Sequence, residues 1–310
     1  MEKAAFTASL SLAITTATLA FVKLIVTADL HYDIVRSREP TRALADHIST
    51  LDADALFILG DVAGRDVGIV EECLHLFDRF AGRKFFIAGN HDLWVDPQGD
   101  SLHRLEVELP RICEGVGFEN LDQAPAIVNG VGIVGSVGWY DYRFRAEWLN
   151  IPTRFYEHKL APGVADRMSE YRHLLDDRSD VPPESLQMGT RWMDGEHVRM
   201  DLSDQAFCDR LLQRFREHLD WAAARCERIV VGLHHLPFAE LVPQSDDPRW
   251  AFACAFMGSP TFGEAILRHP QVSHVYCGHS HRGMCLHKGH VRAVNVGCTY
   301  ADKVFDVLVV

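Results

Sequence analysis

From Lys23 onward, short apolar runs alternate with stretches whose apolar residues recur at helical spacing. Leu24-Ile25-Val26-Thr27, Leu56-Phe57-Ile58-Leu59 and Lys84-Phe85-Phe86-Ile87-Ala88 read as buried strands. Between them, residues 41–51 read as a helix with Pro40 at its entry. Residues 67–81 place Val70, Leu74, Phe77 and Phe80 on one helical face. Three strand–loop–helix units in succession predict parallel strands joined by helical crossovers, an α/β fold.

Residues 127–136 predict a hairpin turning at Asn129-Gly130. After Gly138 the alternation stops until about residue 228, and the aromatic-rich stretch over about 139–227 reads as an insertion or cap. It closes in a helix over 204–226, capped by Ser203 or Asp204. Strands over 229–233, 272–277, 284–287, 291–295 and 304–310, with a helix over 261–268, complete the pattern.

Composition narrows the class. Of 310 residues, 47% are hydrophobic and 24% charged, which is ordinary for a globular protein and excludes pervasive disorder, collagen and a multi-span membrane protein. A net charge of −12 argues against a bulk phosphate-backbone binder, so nucleic acid is not an expected partner. It does not argue against a small phosphorylated substrate, because bound cations reverse the local sign. The eight cysteines form no CxxC pair and read as small buried hydrophobes rather than a disulfide framework. Residues 1–22 form a separate leader: a signal peptide, an anchor, or a stretch upstream of a functional start near Val22. A cytoplasmic protein with no stable membrane partner is the expectation, and the oligomeric state is open.

The polar residues gather where strands end, which is where open α/β sheets place ligand sites. Asp29 and His31 are two apart on what reads as an extended segment, so both side chains face the same way. Asp61 ends the second strand, Asn90, His91 and Asp92 the third; His234 and His235 follow residues 229–233, and His279 and His281 follow 272–277. Carboxylates, imidazoles and an amide oxygen suit Mn, Fe or Zn better than Ca or Mg. There are too many donors for one tetrahedral site, which points to two adjacent ions.

The ordered set Asp29-Leu30-His31, Gly60-Asp61, Gly89-Asn90-His91-Asp92, His234 and Gly278-His279-Ser280-His281 resembles the five motifs of the calcineurin-like metallophosphoesterase superfamily. The resemblance spans about residues 23–300 apart from the insertion. It implies a four-layer α/β/β/α sandwich over 23–310 and two divalent metal ions, manganese first, with iron, zinc or cobalt accepted by the same ligands. It implies one ion on Asp29, His31, Asp61 and His281, and another on Asp61, Asn90, His234 and His279. A water between them, acidified by both cations, would attack phosphorus in line. His91 would face the substrate and either stabilise the transition state or protonate the leaving oxygen, with Asp92 orienting it.

Gly64 stands where the family often carries an acidic residue, which unsettles the support of the metal site. In the insertion, aromatics interleaved with arginines read equally as a substrate lid or as the segment's own core. Trp139 and Tyr140, next to a strand, are the first candidates to face the metals; Tyr140 and Arg143 are the candidate substrate-binding pair. The resemblance thus implies a dinuclear phosphohydrolase acting on a small phosphodiester or phosphomonoester, a nucleotide among the candidates, with a phosphodiesterase favoured over a phosphatase. The alternatives are a nuclease of the same superfamily and a non-catalytic scaffold of the same fold.

Overall fold

The computed structural model describes residues 21–310, so the expectation about a leader falls, except for its last two residues, outside the described part. Phe21 is exposed, but Val22 is buried and exchanges backbone hydrogen bonds with Val310, at 2.7 and 3.0 Å.

The strands are β1 (Lys23–Thr27), β2 (Ala55–Leu59), β3 (Arg83–Ile87), β4 (Glu119–Asn120), β5 (Ala126–Val128), β6 (Val131–Ser136), β7 (Arg228–Leu233), β8 (Val272–Cys277), β9 (Met284–Lys288), β10 (Val291–Asn295) and β11 (Asp306–Val309). They form two sheets, ordered β11-β1-β2-β3-β4 and β5-β6-β7-β8-β10-β9. Pairing is parallel along β1-β2-β3-β4 and β6-β7-β8-β10, and antiparallel only at β11, β5 and β9 on the edges. The Asn129-Gly130 turn joins β5 to β6 with positive φ at both residues, 46° and 84°, as a tight hairpin demands.

Strand alternation divides the core. Leu24, Val26, Phe57, Leu59, Phe85 and Ile87 face Ile133, Val230 and Tyr276 between the sheets. Ile25, Leu56, Ile58 and Phe86 point the other way, into the helical layer that holds Leu44, Ile48, Val70 and Leu74. Both faces of each central strand are therefore covered, which explains the unbroken apolar runs in the sequence.

Helix boundaries differ from the pattern. The first helix runs Val35–Ile48 with Pro40 inside it, forfeiting one hydrogen bond near its N-terminal end. The second is regular only over Val67–His75; single turns continue to Phe80, and the predicted face of Val70, Leu74, Phe77 and Phe80 is buried throughout. The helix Asp204–Ala223 falls within the expected cap but packs on β6 and β7 as their crossover, with Leu211, Phe215, Leu219 and Ala222 buried. Its cap is Ser203, which accepts from the Ala206 N–H at 3.2 Å. All eight cysteines are free thiols, and Cys285 alone is exposed. Among the described residues no helix is long and apolar enough to cross a membrane.

The sheets approach each other so closely at Gly232 that a Cβ there would fall on the Phe57 ring. Gly232→Ala should therefore destabilise by about 1–3 kcal/mol, the usual cost of overpacking, read as a lowered urea midpoint with an unchanged slope.

Candidate metal centre

Every candidate ligand leaves the C-terminal end of a parallel strand, so both sheets deliver side chains to one edge of the sandwich. Asp29 and His31 follow β1, Asp61 follows β2, Asn90 follows β3, His234 follows β7, and His279 and His281 follow β8. The backbone at Asp29, His31, Asp61, His279 and His281 is left-handed, with φ of 54°, 43°, 50°, 69° and 57°. That corrects the expectation of an extended segment: Asp29 and His31 share a side because each sits on its own left-handed turn. Such turns are costly for residues with a Cβ and persist only where surrounding contacts impose them. Here the Asp29 N–H donates to the Gly60 carbonyl (3.0 Å), the His31 N–H to the Asp61 carbonyl (2.8 Å) and the His279 N–H to Asp29 Oδ1 (2.9 Å). Gly60, at φ 75°, lies where any Cβ would collide with the backbone of Gly89.

The side chains converge as two groups. Donor atoms of Asp29, His31, Asp61 and His281 lie within 4.8 Å of one another, as do those of Asp61, His234 and His279. Asp61 belongs to both. Asn90 Oδ1 joins the second group, 3.2 Å from His234 Nε2, which is 3.1 Å from His279 Nδ1. His234 donates through Nδ1 to the Leu59 carbonyl (2.8 Å), and His279 through Nε2 to the Phe256 carbonyl (3.2 Å). Those bonds turn the other ring nitrogens inward, where each can ligate a cation once it carries no proton. In the first group the Nε2 atoms of His31 and His281 are 3.3 Å apart, and His31 Nδ1 is buried with no partner. Oxygens and unprotonated nitrogens facing one another repel unless a cation stands between them. The donor set, oxygen and imidazole without thiolate, fits divalent transition metals.

Charge follows from the same packing. Burial would raise the Asp61 carboxyl, but His234, His91 and His31 outweigh it and hold the group well below the usual carboxylate range. Burial would lower His234, but the facing Asp61 carboxylate takes it up to about 9. His31 and His279 are pushed well below the ordinary imidazole value, first by burial. Burial likewise raises Asp29, against the opposing pull of His281.

Around this centre the expected roles divide. His91 lies at the cavity surface with Nε2 4.0 Å from Asp61 Oδ2, and its ring stacks on Trp94 at 3.7 Å between centroids. Asp92 does not hold His91. It is fully buried and accepts from the N–H groups of Val62 (3.0 Å), Ala63 (3.1 Å) and Gly89 (2.7 Å), tying the loops after β2 and β3 together. Burial, then Asp61, raise its carboxyl to about 7. His235 belongs to neither donor group; it donates through Nδ1 to the Val137 carbonyl at 2.9 Å, packs 4.3 Å from the His279 ring, and leaves Nε2 buried without a partner. A Cβ at Gly64 would stand 2.8 Å from Asp33 Oδ2, so a carboxylate reaches this volume from the loop after β1 instead.

Neither expected substrate residue reaches the cavity. Tyr140 is fully buried with its hydroxyl on Asp194 Oδ2 (3.1 Å), and Arg143 is turned outward onto Asp141 (2.7 Å). Trp139 is also buried and bonded to Asp204 Oδ1 at 2.9 Å. A chain of stacked rings from a strand end packs inward as readily as toward a ligand, and here the insertion's own core takes it. The cavity beside the donor groups measures about 510 Å³ and is walled by Trp94, Trp192, Trp250, Met257 and Tyr300. Trp192 had only a weak claim on the site from sequence, within the run Arg191-Trp192-Met193-Asp194-Gly195, and Trp94, Trp250, Met257 and Tyr300 were not singled out. Of those four, Trp94, three residues after His91 in the same turn, was the one with a local signal.

A family description, calcineurin-like phosphoesterase, matches residues 22–283, and the chain belongs to that family. No curated protein is matched by the sequence. Among solved structures, phosphopantetheinyl hydrolase from Mycobacterium tuberculosis is similar with a TM-score of 0.66 and 19% identity, over 90% of each chain. A dimetal phosphatase from Danio rerio aligns over 89% of this chain and 87% of its own, with a TM-score of 0.49 and 15% identity. The first likeness is one of fold: two parallel-rich sheets with helices, as the resemblance implied.

His234 must be neutral to ligate, whereas beside Asp61 it holds its proton up to about pH 9. Metal uptake near pH 7 should therefore release about one proton, and affinity should rise with pH until that value is passed. Calorimetry in buffers of different ionisation enthalpy measures this; uptake without proton release would contradict it.

Proposed function

We propose that the protein is a dinuclear metal-dependent phosphohydrolase. The observation that supports it most is the pair of donor groups sharing Asp61, with His91 beside them at the lip of a cavity. On this reading Asp29, His31, Asp61 and His281 hold one divalent ion, and Asp61, Asn90, His234 and His279 the other. Manganese is the ion expected first, while iron, zinc and cobalt suit the same donors. When bound, the pair would supply Lewis acidity at the phosphoryl oxygens and a more acidic water as nucleophile.

The chain's own residues do the rest. Asp61, kept ionised by its histidine neighbours, belongs to both groups and would serve both ions. His91 Nε2 gives a proton to the leaving oxygen, and Trp94 against its ring restricts how the imidazole can turn. Asp92 keeps the Asp61 and Asn90 loops in register.

The cavity supports a narrower reading of the substrate. Its lining includes His91 with Trp94 stacked on it, and His281 with Tyr300, whose ring is 5.0 Å from that of His281. Aromatic walls beside both His91 and His281 favour a phosphodiester, and walls of tryptophan, tyrosine and methionine favour esters of alcohols carrying a flat or apolar group. Arg36 lies over Tyr300 (4.5 Å) and Arg282 over Trp250 (5.9 Å), though neither lines the cavity itself.

The test is hydrolysis of bis(p-nitrophenyl) phosphate beside p-nitrophenyl phosphate with Mn²⁺, joined by a phosphopantetheinyl ester because the similar mycobacterial structure carries that name. Asp61→Asn should abolish activity with loss of bound metal, and His91→Ala should lower kcat about 10²–10⁴-fold on poor leaving groups. Protein that retains no stoichiometric ions and turns over no ester would be a scaffold instead. Trp250→Ala should raise KM for aromatic esters several-fold while leaving small alkyl esters little changed; an equal effect on both would remove the apolar subsite.

A further inference from the structure

We infer that Asp194, carried into the centre by the inserted segment, is a positioning residue that aims both a metal ligand and the proton donor. The inference rests on the metal-centre reading above and adds a residue outside the five motifs.

Asp194 is almost completely buried and meets four donors. Its Oδ1 accepts from Asn90 Nδ2 at 2.8 Å and from the Trp94 indole N–H at 2.8 Å. Its Oδ2 accepts from the Trp192 indole N–H at 2.7 Å and from the Tyr140 hydroxyl at 3.1 Å. Each contact has a consequence at the centre. Holding Asn90 by its NH₂ group leaves the amide oxygen facing His234, so the carboxylate decides which end of the amide a cation meets. Holding Trp94 fixes the plane on which His91 stacks. Holding Trp192 seats that ring on Phe256 (5.3 Å apart, 8° between planes), whose carbonyl accepts from His279 Nε2. Tyr140 closes the set from behind and ties Asp194 to the stacked aromatics of the insertion.

Only a carboxylate can do this. Two oxygens with four lone pairs take all four donors, whereas an amide of the same shape offers one oxygen and turns its NH₂ toward two of them. Whichever way that amide faced, its NH₂ would meet the N–H donors of Asn90 and Trp94 or that of Trp192, and only the Tyr140 hydroxyl could turn to accept. Asp194 sits 104 residues from Asn90 and 100 from Trp94, so the insertion is a constituent of the centre and not merely a cover over it.

The test is calorimetric titration of metal-stripped protein with Mn²⁺. Wild type should take two ions; if it takes fewer, the metal-centre reading itself fails, independently of Asp194. With two ions bound by wild type, Asp194→Asn should weaken one of them about 10–100-fold and leave the other near its original affinity. Two unaltered affinities would overturn the inference. Rescue separates aiming from general loosening. Asn90→Asp alone sets carboxylate against carboxylate and should weaken the same ion, while the double variant Asn90→Asp/Asp194→Asn, with an amide again donating to a carboxylate, should recover part of the loss. A double variant no better than Asn90→Asp would also overturn it. Should Asp194→Asn not fold, Trp94→Phe carries the test: it keeps a ring on His91 but cannot donate to Oδ1. It should slow a phenyl or alkyl ester about tenfold more than a p-nitrophenyl ester, whose leaving group needs little protonation. Equal slowing of both would count against the aiming of His91.

Discussion

A buried meeting of lone pairs around one carboxylate is the constraint that the rest of this molecule answers. Asp61 faces His31 at 3.6 Å and His234 at 3.3 Å, with the nitrogens of His279 and the oxygen of Asn90 just beyond. Without a cation these groups repel or must capture protons, and nothing about their own chemistry would bring them together. They are held by two sheets at once, because Asp29, Asp61 and Asn90 leave one sheet while His234, His279 and His281 leave the other. The distance between the two halves is therefore set by how the sheets pack, down to the close approach of Gly232 to Phe57. Each left-handed turn at a ligand costs on the order of 1–3 kcal/mol, and only a core buried on both faces of both sheets can offset several in one site.

The inserted segment serves two ends that the sequence posed as alternatives. Its aromatics do form a core of their own: Trp139, Tyr140, Tyr142, Phe155 and Tyr156 are buried together, and Asp204 ties Trp139, Tyr142 and Lys159 to the start of the long crossover helix. A different part of the same segment faces the cavity, where Trp192 stands opposite residues from the loops after β3, β7 and β8. Asp194 joins the two, since its carboxylate bonds to the buried Tyr140 and to the cavity-lining Trp94 and Trp192.

Much of this was written along the chain. Apolar runs of four or five residues marked the central strands, because a strand covered on both faces needs no polar alternation, and Asn129-Gly130 marked its hairpin because few residues accept two successive positive φ angles. The candidate metal ligands stood out by type and by their place after those runs. What misled was geometry inside the loops. Spacing of two residues suggested a shared side for Asp29 and His31 through strand alternation, while the actual cause is a left-handed turn at each. Asp92 suggested a partner for its neighbour His91, yet its oxygens are claimed by three backbone N–H groups from two loops.

Periodicity reports which way a side chain faces within its own element, so the chain alone determined the elements, their order and the chemical type of the centre. It carries no information on which elements meet across a hundred residues. Whether Tyr140 turned to the cavity or to the core, and whether an aspartate in the insertion bonded to Asn90, were decided only when the insertion packed against the strand ends. There, an unpaired indole or amide N–H would have been left buried without an acceptor, and Asp194 was the acceptor within reach.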